Sequence, residues 1–225
     1  MRDVIRANGL IIAVDNSGSV GEKAQDDIRA SYETVGYFSA RVALMECIAA
    51  GGEPFAAVLH NFSGDEAWPD LCKGIYKAAA EVGCELELNG SSESNFTMNQ
   101  SAAGIIIIGK HVRKTSTVIN QPHVQFGVVG KPLVGSKVIT NSSEIAPLSL
   151  FCKITELDGV SAVLPVGSKG IAWELKQLTG KSGRCRLDMD TSGGPATCFI
   201  VAANNEAFKK INQLTNLICW IEMND

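Results

Sequence analysis

The sequence predicts an α/β or α+β fold in two parts, and three observations predict it. Apolar runs of strand length recur along the chain, among them Leu10 to Val14, Phe55 to Leu59 and Gly104 to Lys110. Between them lie stretches whose apolar residues repeat with helical spacing and end at glycine. Near the middle the chain changes character: Thr115 to Asn141 carries glycines at 127, 130 and 135, prolines at 122 and 132, and few helix signals. The boundary between halves is therefore expected near Lys114 to Gln121, with 1–114 as the N-terminal domain and 121–225 as a shorter C-terminal α+β domain.

Taken in order, Leu10 to Val14 reads as a buried strand that delivers Asp15 to its end, followed by the turn-forming run Asn16-Ser17-Gly18-Ser19. Val35 to Ala50 reads as a helix with Phe38, Val42, Met45 and Ile48 inward, stopped by Gly51-Gly52 and Pro54. Arg41 and Glu46 lie on it five apart, roughly 140° around the axis, so they form no i,i+4 pair. Phe55 to Leu59 is a strand leading His60 and Asn61 into a loop. A helix over Asp70 to Val82 closes at Gly83. Cys84 to Leu88 is a short strand ending in the polar loop Asn89 to Asn95, and Gly104 to Lys110 is the clearest strand of all. Strand, helix, strand, helix, strand, strand is one α/β or α+β layer. The second half offers strands near Val124 to Val129, Ala162 to Pro165, Thr197 to Ala202 and Ile218 to Met223, with helices over Gly170 to Leu178 and Asn205 to Leu217.

Composition narrows the function. The 225 residues fill one sizeable core or two small ones, and a hydrophobic share of 45% argues against disorder. No apolar run approaches the ~20 residues of a membrane span, and no signal-peptide core precedes Asp15, so a cytoplasmic protein is expected. A net charge of -4 gives no electrostatic case for nucleic acid. Seven cysteines without a C-x-x-C pair point to free thiols in a reducing compartment rather than zinc. Asn-x-Ser/Thr triplets, among them those that begin at Asn61, Asn89, Asn95 and Asn141, carry little meaning in a protein that is not secreted.

The stretch richest in chemistry runs from Asp15 to Asp27. A carboxylate, small hydroxyls, glycines (Ser17, Gly18) and Lys23 together suit a metal and phosphate oxygens; equally, Asp15 can begin an Asx turn in a solvated loop. The spacing is neither that of a P-loop nor that of a dinucleotide-binding fingerprint. Asp15, Asp26, Glu46 and Glu93 sit at or near element ends without a histidine, which suits magnesium bridging phosphates. The alternative is four exposed acids, and Glu46 tilts against it because it stands in an apolar stretch where a carboxylate needs a partner. Asn61, Asn89 and Asn95 can supply sugar or amide hydrogen bonds, or simply make turns.

In this order the motifs resemble the PurM-like ATP-binding superfamily of aminoimidazole-ribonucleotide synthetase, selenophosphate synthetase, thiamine-monophosphate kinase and HypE. The segments that carry it are VDNSGSVGEK, ALMECIAAGGEP, EVGCELELNGSSESN and SGGPATCFIVAA. The departures are Glu46 where the family usually has Asp, Asn-Gly-Ser-Ser-Glu in place of a Gly-Gly-acid-Thr loop, and a second half without the acid of the Ser-Asp-Gly-Gly segment. The resemblance implies an N-terminal half that dimerises through its strands into a shared barrel, and ATP bound with magnesium through Asp15, Asp26, Glu46 and Glu93. Phosphate contacts would come from Ser17, Gly18, Lys23 and Arg41, with Asn61, Gly90 and Ser91 completing the nucleotide site. The segments look most like a kinase of α-ribazole, in which Asp26 would orient the acceptor hydroxyl and Lys23 would neutralise charge. A synthetase-type ligase and a nucleotide-binding module without catalysis are the other readings.

Overall fold

The computed structural model describes residues 3–115 and 123–224. The chain falls into two compact units, Met1–Arg113 and Lys114–Asp225. Much of the stretch where the sequence places the boundary, Lys114 to Gln121, lies outside the described residues.

The first unit runs β1 (Val4–Ala7), β2 (Leu10–Gly18), β3 (Val20–Gly21), β4 (Ile28–Arg29), α1 (Tyr32–Ala49), β5 (Gly52–Asn61), α2 (Trp68–Glu81), β6 (Glu87–Ser92) and β7 (Ala102–His111). Five strands form a sheet in the order β1-β2-β7-β5-β6, antiparallel except for the β5–β6 edge. Asn8 and Gly9, both at positive φ, close the β1–β2 hairpin, as an Asn-Gly pair does between strands. The strand expected to end at Asp15 continues to Gly18, because β7 supplies backbone partners for each residue from Leu10 to Gly18. Likewise β6 begins only at Glu87 and runs through Gly90 and Ser91. Backbone pairing with β5 from Ala56 to Asn61 holds this polar segment as a strand, where the sequence predicts a loop.

Helix α1 is capped by the Ser31 side chain, which accepts from the Thr34 N–H. It lies against the sheet on one side and α2 on the other, so more than one stripe is buried. Ala40, Ala43, Leu44 and Cys47 are fully buried, whereas the predicted inward residues Phe38, Val42 and Ile48 are only half-buried. The helices touch through glycine. A Cβ on Gly36 would stand 2.2 Å from the Leu71 carbonyl oxygen, and one on Gly74 would stand 2.0 Å from that of Glu33.

The second unit runs β8 (Gln125–Val129), α3 (Ser136–Thr140), α4 (Leu148–Thr155), β9 (Val160–Pro165), α5 (Gly170–Thr179), β10 (Gly183–Arg184), β11 (Phe199–Ala203), α6 (Asn205–Leu214) and β12 (Ile218–Met223). Its sheet is antiparallel in the order β10-β12-β8-β11-β9. All five residues of β11 are buried, as a central strand covered on both faces requires. Gly180, at φ 73, closes α5 as the sequence predicts. The seven cysteines are free thiols. No helix among the described residues is long and apolar enough to cross a membrane.

Candidate functional site

The first unit gathers its chemistry where the β3–β4 loop, the β5–α2 turn and the β6–β7 loop meet. There a cleft of about 260 Å³ is lined by Lys23, Phe62, Ser63, Glu93, Phe96 and Met98 among others. Two of the predicted site residues, Lys23 and Glu93, therefore face one space. The Lys23 ammonium donates to the Met98 carbonyl at 2.8 Å, which leaves two of its three N–H donors for another partner. Glu93 Oε1 accepts from the backbone N–H groups of Asn95 (2.7 Å) and Phe96 (3.1 Å), which fixes the start of the β6–β7 loop. Among the described residues, Oε2 of Glu93 takes no hydrogen bond.

Asn61 is the joint beneath this cleft. It is 1% exposed. Its Nδ2 donates to the Gly64 carbonyl at 2.7 Å and to Ser92 Oγ at 2.9 Å, while its Oδ1 accepts from the Ser63 N–H at 2.9 Å. The Glu93 N–H donates to the Asn61 carbonyl at 2.8 Å. With both ends of its amide engaged, Asn61 shapes the wall and does not point a free donor at a ligand. Gly90 has a similar duty: a Cβ there would lie 1.9 Å from the Leu59 carbonyl oxygen, so only glycine fits this edge of the sheet.

Asp26 is tied into its own chain. One carboxylate oxygen accepts from the Ser101 N–H at 2.6 Å; the other accepts from Ser101 Oγ at 2.7 Å and from the Lys23 N–H at 2.9 Å. Desolvation pushes its pKa up, but those bonds and the Arg29 charge outweigh it and hold the carboxyl below the usual range. Ser101 in turn shares a hydrogen bond with the Tyr32 hydroxyl at 3.1 Å. The role of orienting a substrate hydroxyl, expected for Asp26, does not suit a carboxylate whose two oxygens already hold the start of β7 at Ser101 against the β3–β4 loop.

The other predicted residues stand apart. Asp15 lies inside β2, opposite Ile105, and is half-buried. Desolvation raises its carboxyl to about 7, opposed by a bond from the Asn16 backbone and assisted by the Asp3 charge. Pairing places Asp15, Ile105, Leu59 and Gly90 on one row across four strands, so Asp15 and Gly90 are about 14 Å apart at ~4.8 Å per strand. Ser17 and Gly18 pair with Ala103 and Ala102 in the same strand, and Ser91 pairs with His60 in β5–β6. Arg41 is 1% exposed and its side chain bonds Tyr37, whose hydroxyl donates to Glu81 on α2 at 3.1 Å. It is thus a buried strut between two helices. Glu46, 8% exposed, is buried on the same helix.

These placements test the expected magnesium site. Among the described residues, no group of three or more His, Cys, Asp or Glu side chains is arranged to hold a metal ion. Asp15, Asp26, Glu46 and Glu93 do not form one cage in this chain. Magnesium carried by phosphates needs only one or two protein carboxylates, and Glu93 is the member of the set that fits, since it lines the cleft with one oxygen unbonded.

Sequence reasoning missed the rest of the lining. Phe62, Ser63, Asp65, Glu66, Phe96 and Thr97 carry no local motif of binding, yet a signal was present. The chain repeats Asn-Phe-Ser at 61–63 and Asn-Phe-Thr at 95–97, and both phenylalanines reach the same cleft.

No protein-family model and no curated protein sequence matches the chain. Solved structures do match its fold. The chain is similar to thiamine monophosphate kinase from Aquifex aeolicus, with 13% identity and a TM-score of 0.66 over 96% of this chain and 85% of that one. A complex described as AaThiL with AMPPCP and TMP matches at 13% identity and TM-score 0.65, over 99% of this chain and 84% of that one. Hydrogenase maturation protein HypE in complex with ATP matches at 12% identity and TM-score 0.66, over 97% and 77%. The fold is thus shared along essentially the whole chain with the PurM-like structures that the sequence motifs resemble.

Proposed function

We propose that the chain is an ATP-dependent phosphotransferase that acts on a small nucleoside-like metabolite, with α-ribazole as the specific acceptor. The observation that carries the reading is the full-length fold likeness to a kinase complexed with AMPPCP and TMP, joined to a cleft that pairs Lys23 with Glu93. Phosphoryl transfer asks a protein mainly for positioning and charge neutralisation. Lys23 supplies the ammonium for the phosphate oxygens. Glu93 takes over the hydroxyl-orienting role expected of Asp26, because it lines the cleft with only Oε1 engaged among the described residues, while both Asp26 oxygens hold the loop. Magnesium arriving with ATP would contribute charge neutralisation on the phosphates.

The reading includes a homodimer. The sheet face away from α1 carries Ile12, Ile106, Ile108 and Val58 in register, with Val14 40% and Ile5 62% exposed. An apolar sheet face left open to water favours a second copy. The scattered carboxylates support a second reading, a nucleotide-binding module without turnover.

The test is ADP release from ATP and magnesium with α-ribazole, thiamine monophosphate or formylglycinamidine ribonucleotide offered singly. Release with α-ribazole alone supports the full reading. Release with thiamine monophosphate keeps the kinase and replaces the acceptor, and release with the formylglycinamidine moves the chain to the ligases. ATP binding without release from any of the three favours the module.

A further inference from the structure

The cleft of the first unit has a composition that says more about the acceptor than the fold does. Two aromatic rings line it, and both are open to solvent: Phe62 is 40% and Phe96 79% exposed. Met98, 39% exposed, adds a third apolar surface. Aromatic side chains left in water at the mouth of a cleft lose apolar burial that a planar ligand would restore. Both phenylalanines are held in place from behind. The Phe62 N–H donates to the Ala102 carbonyl at 3.0 Å, and the Phe96 N–H is bonded by Glu93 at 3.1 Å. The rings are thus carried on fixed backbone, not on free tails.

The charged lining is unbalanced. Asp65, Glu66 and Glu93 set three carboxylates against the one ammonium of Lys23. Beyond the one phosphoryl group that Lys23 can hold, that excess repels an acceptor bearing its own phosphate, and it attracts a neutral or cationic one. Lys23 covers one part of the lining, which suits a single transferred phosphoryl group and no second anion. The volume, about 260 Å³, lies just under the ~300–1,000 Å³ usual for small-molecule pockets, which suits one heterocycle beside the phosphate end of a nucleotide that reaches in to Lys23, and not a whole nucleotide.

We propose that this cleft is the acceptor subsite, and that it takes the aromatic heterocycle of an unphosphorylated, neutral or cationic molecule against Phe62 and Phe96. The proposal rests on the phosphotransferase reading for the word acceptor, but the binding it describes stands without ATP. Phe96 is the stacking surface, Phe62 and Met98 add apolar surface to the same lining, and the acids set the preference for an acceptor without a phosphate.

Equilibrium binding without nucleotide tests this, using benzimidazole, adenosine, thiamine and thiamine monophosphate as probes. The wild-type chain is expected to bind at least one of the first three, and to bind thiamine at least tenfold more tightly than thiamine monophosphate. Phe96→Ala removes a side chain exposed to solvent and leaves the fold intact; it should weaken the heterocycle about tenfold or more, the scale of one aromatic stacking contact. AMPPCP binding measured on the same samples should be unchanged in Phe96→Ala. Tighter binding of the monophosphate, equal affinity in Phe96→Ala, or no binding of any probe by a chain that still binds AMPPCP would each overturn the subsite. Heterocycle binding by a chain that never binds AMPPCP keeps the subsite and sinks the phosphotransferase instead.

Discussion

Asp15 and Asp26 stand eleven residues apart in sequence and in opposite electrostatic worlds. The first lies within a strand, half-buried beside apolar neighbours, and its carboxyl is pushed up to about 7. The second sits in a loop, receives three hydrogen bonds, and is held below the ordinary range. A sequence presents both as an acid near an apolar run. What separates them is whether the chain brings donors or merely removes water, and that is decided by which strand pairs with which.

The largest effect that sharpens this contrast is on stability. Asp15 is raised from 3.8 to about 7, which at ~1.4 kcal/mol per pH unit amounts to about 4 kcal/mol. The folded chain keeps the proton where the unfolded chain has lost it, so stability falls as pH rises from about 4 to about 7 and is flat above. Chemical denaturation of Asp15→Asn should lack that fall, so it is more stable than wild type at pH 8 and near equal at pH 4. A wild-type curve that is flat from pH 4 to 7 contradicts the burial of this carboxyl.

Next in size is the cleft. Glu93→Gln should cut turnover about a hundredfold, the lower end of what a positioned proton acceptor contributes. Circular dichroism and melting should stay near wild type, since the amide oxygen still accepts from Asn95 and Phe96. Undiminished turnover would move the hydroxyl-orienting role elsewhere.

Asp26→Asn should cost about 1–2 kcal/mol at pH 7, because its bonds to Ser101 and Lys23 lose their charge while solvent screens part of the loss. Here the sign reverses. The depressed carboxyl contributes stability above the unfolded value near 3.8, and that contribution disappears as pH falls through the folded value. Wild type and Asp26→Asn should therefore converge in strong acid, and a constant gap down to pH 2 would assign the loss to shape alone. The cost should come with unchanged ATP affinity, as expected of a loop clamp.

The α1–α2 contact shows how far the sequence could be read. The helix over Val35 to Ala50 was legible from its length, its apolar content and the Gly51-Gly52 stop. Its buried face was not, because Ala40, Ala43 and Gly36 are small residues whose role appears only once α2 lies across them. Ile218 to Met223 was legible to the residue, since a β-rich run beside a turn leaves little choice. Gly90 and Ser91 were not legible as a strand, because ladder bonds use the backbone and polar side chains do not forbid them. α4 was overlooked although Leu148, Phe151 and Ile154 repeat at three-residue spacing after Pro147. In the site, Lys23 and Glu93 were readable as charges near element ends. The phenylalanines of the cleft were marked only by the repeated Asn-Phe-Ser and Asn-Phe-Thr triplets, since an aromatic residue in a loop gives little sign in one dimension of what it faces.

The measurement that bears most directly on the account is the calorimetric affinity of the wild-type chain and Lys23→Ala for AMPPCP with magnesium. The account predicts saturable binding by wild type and about tenfold weaker binding by the variant, the loss of one ammonium–phosphate contact at ~1.4 kcal/mol. No binding by the wild-type chain would contradict it outright. Equal binding by both would leave a nucleotide site but remove its phosphate end from the cleft that Lys23 and Glu93 share.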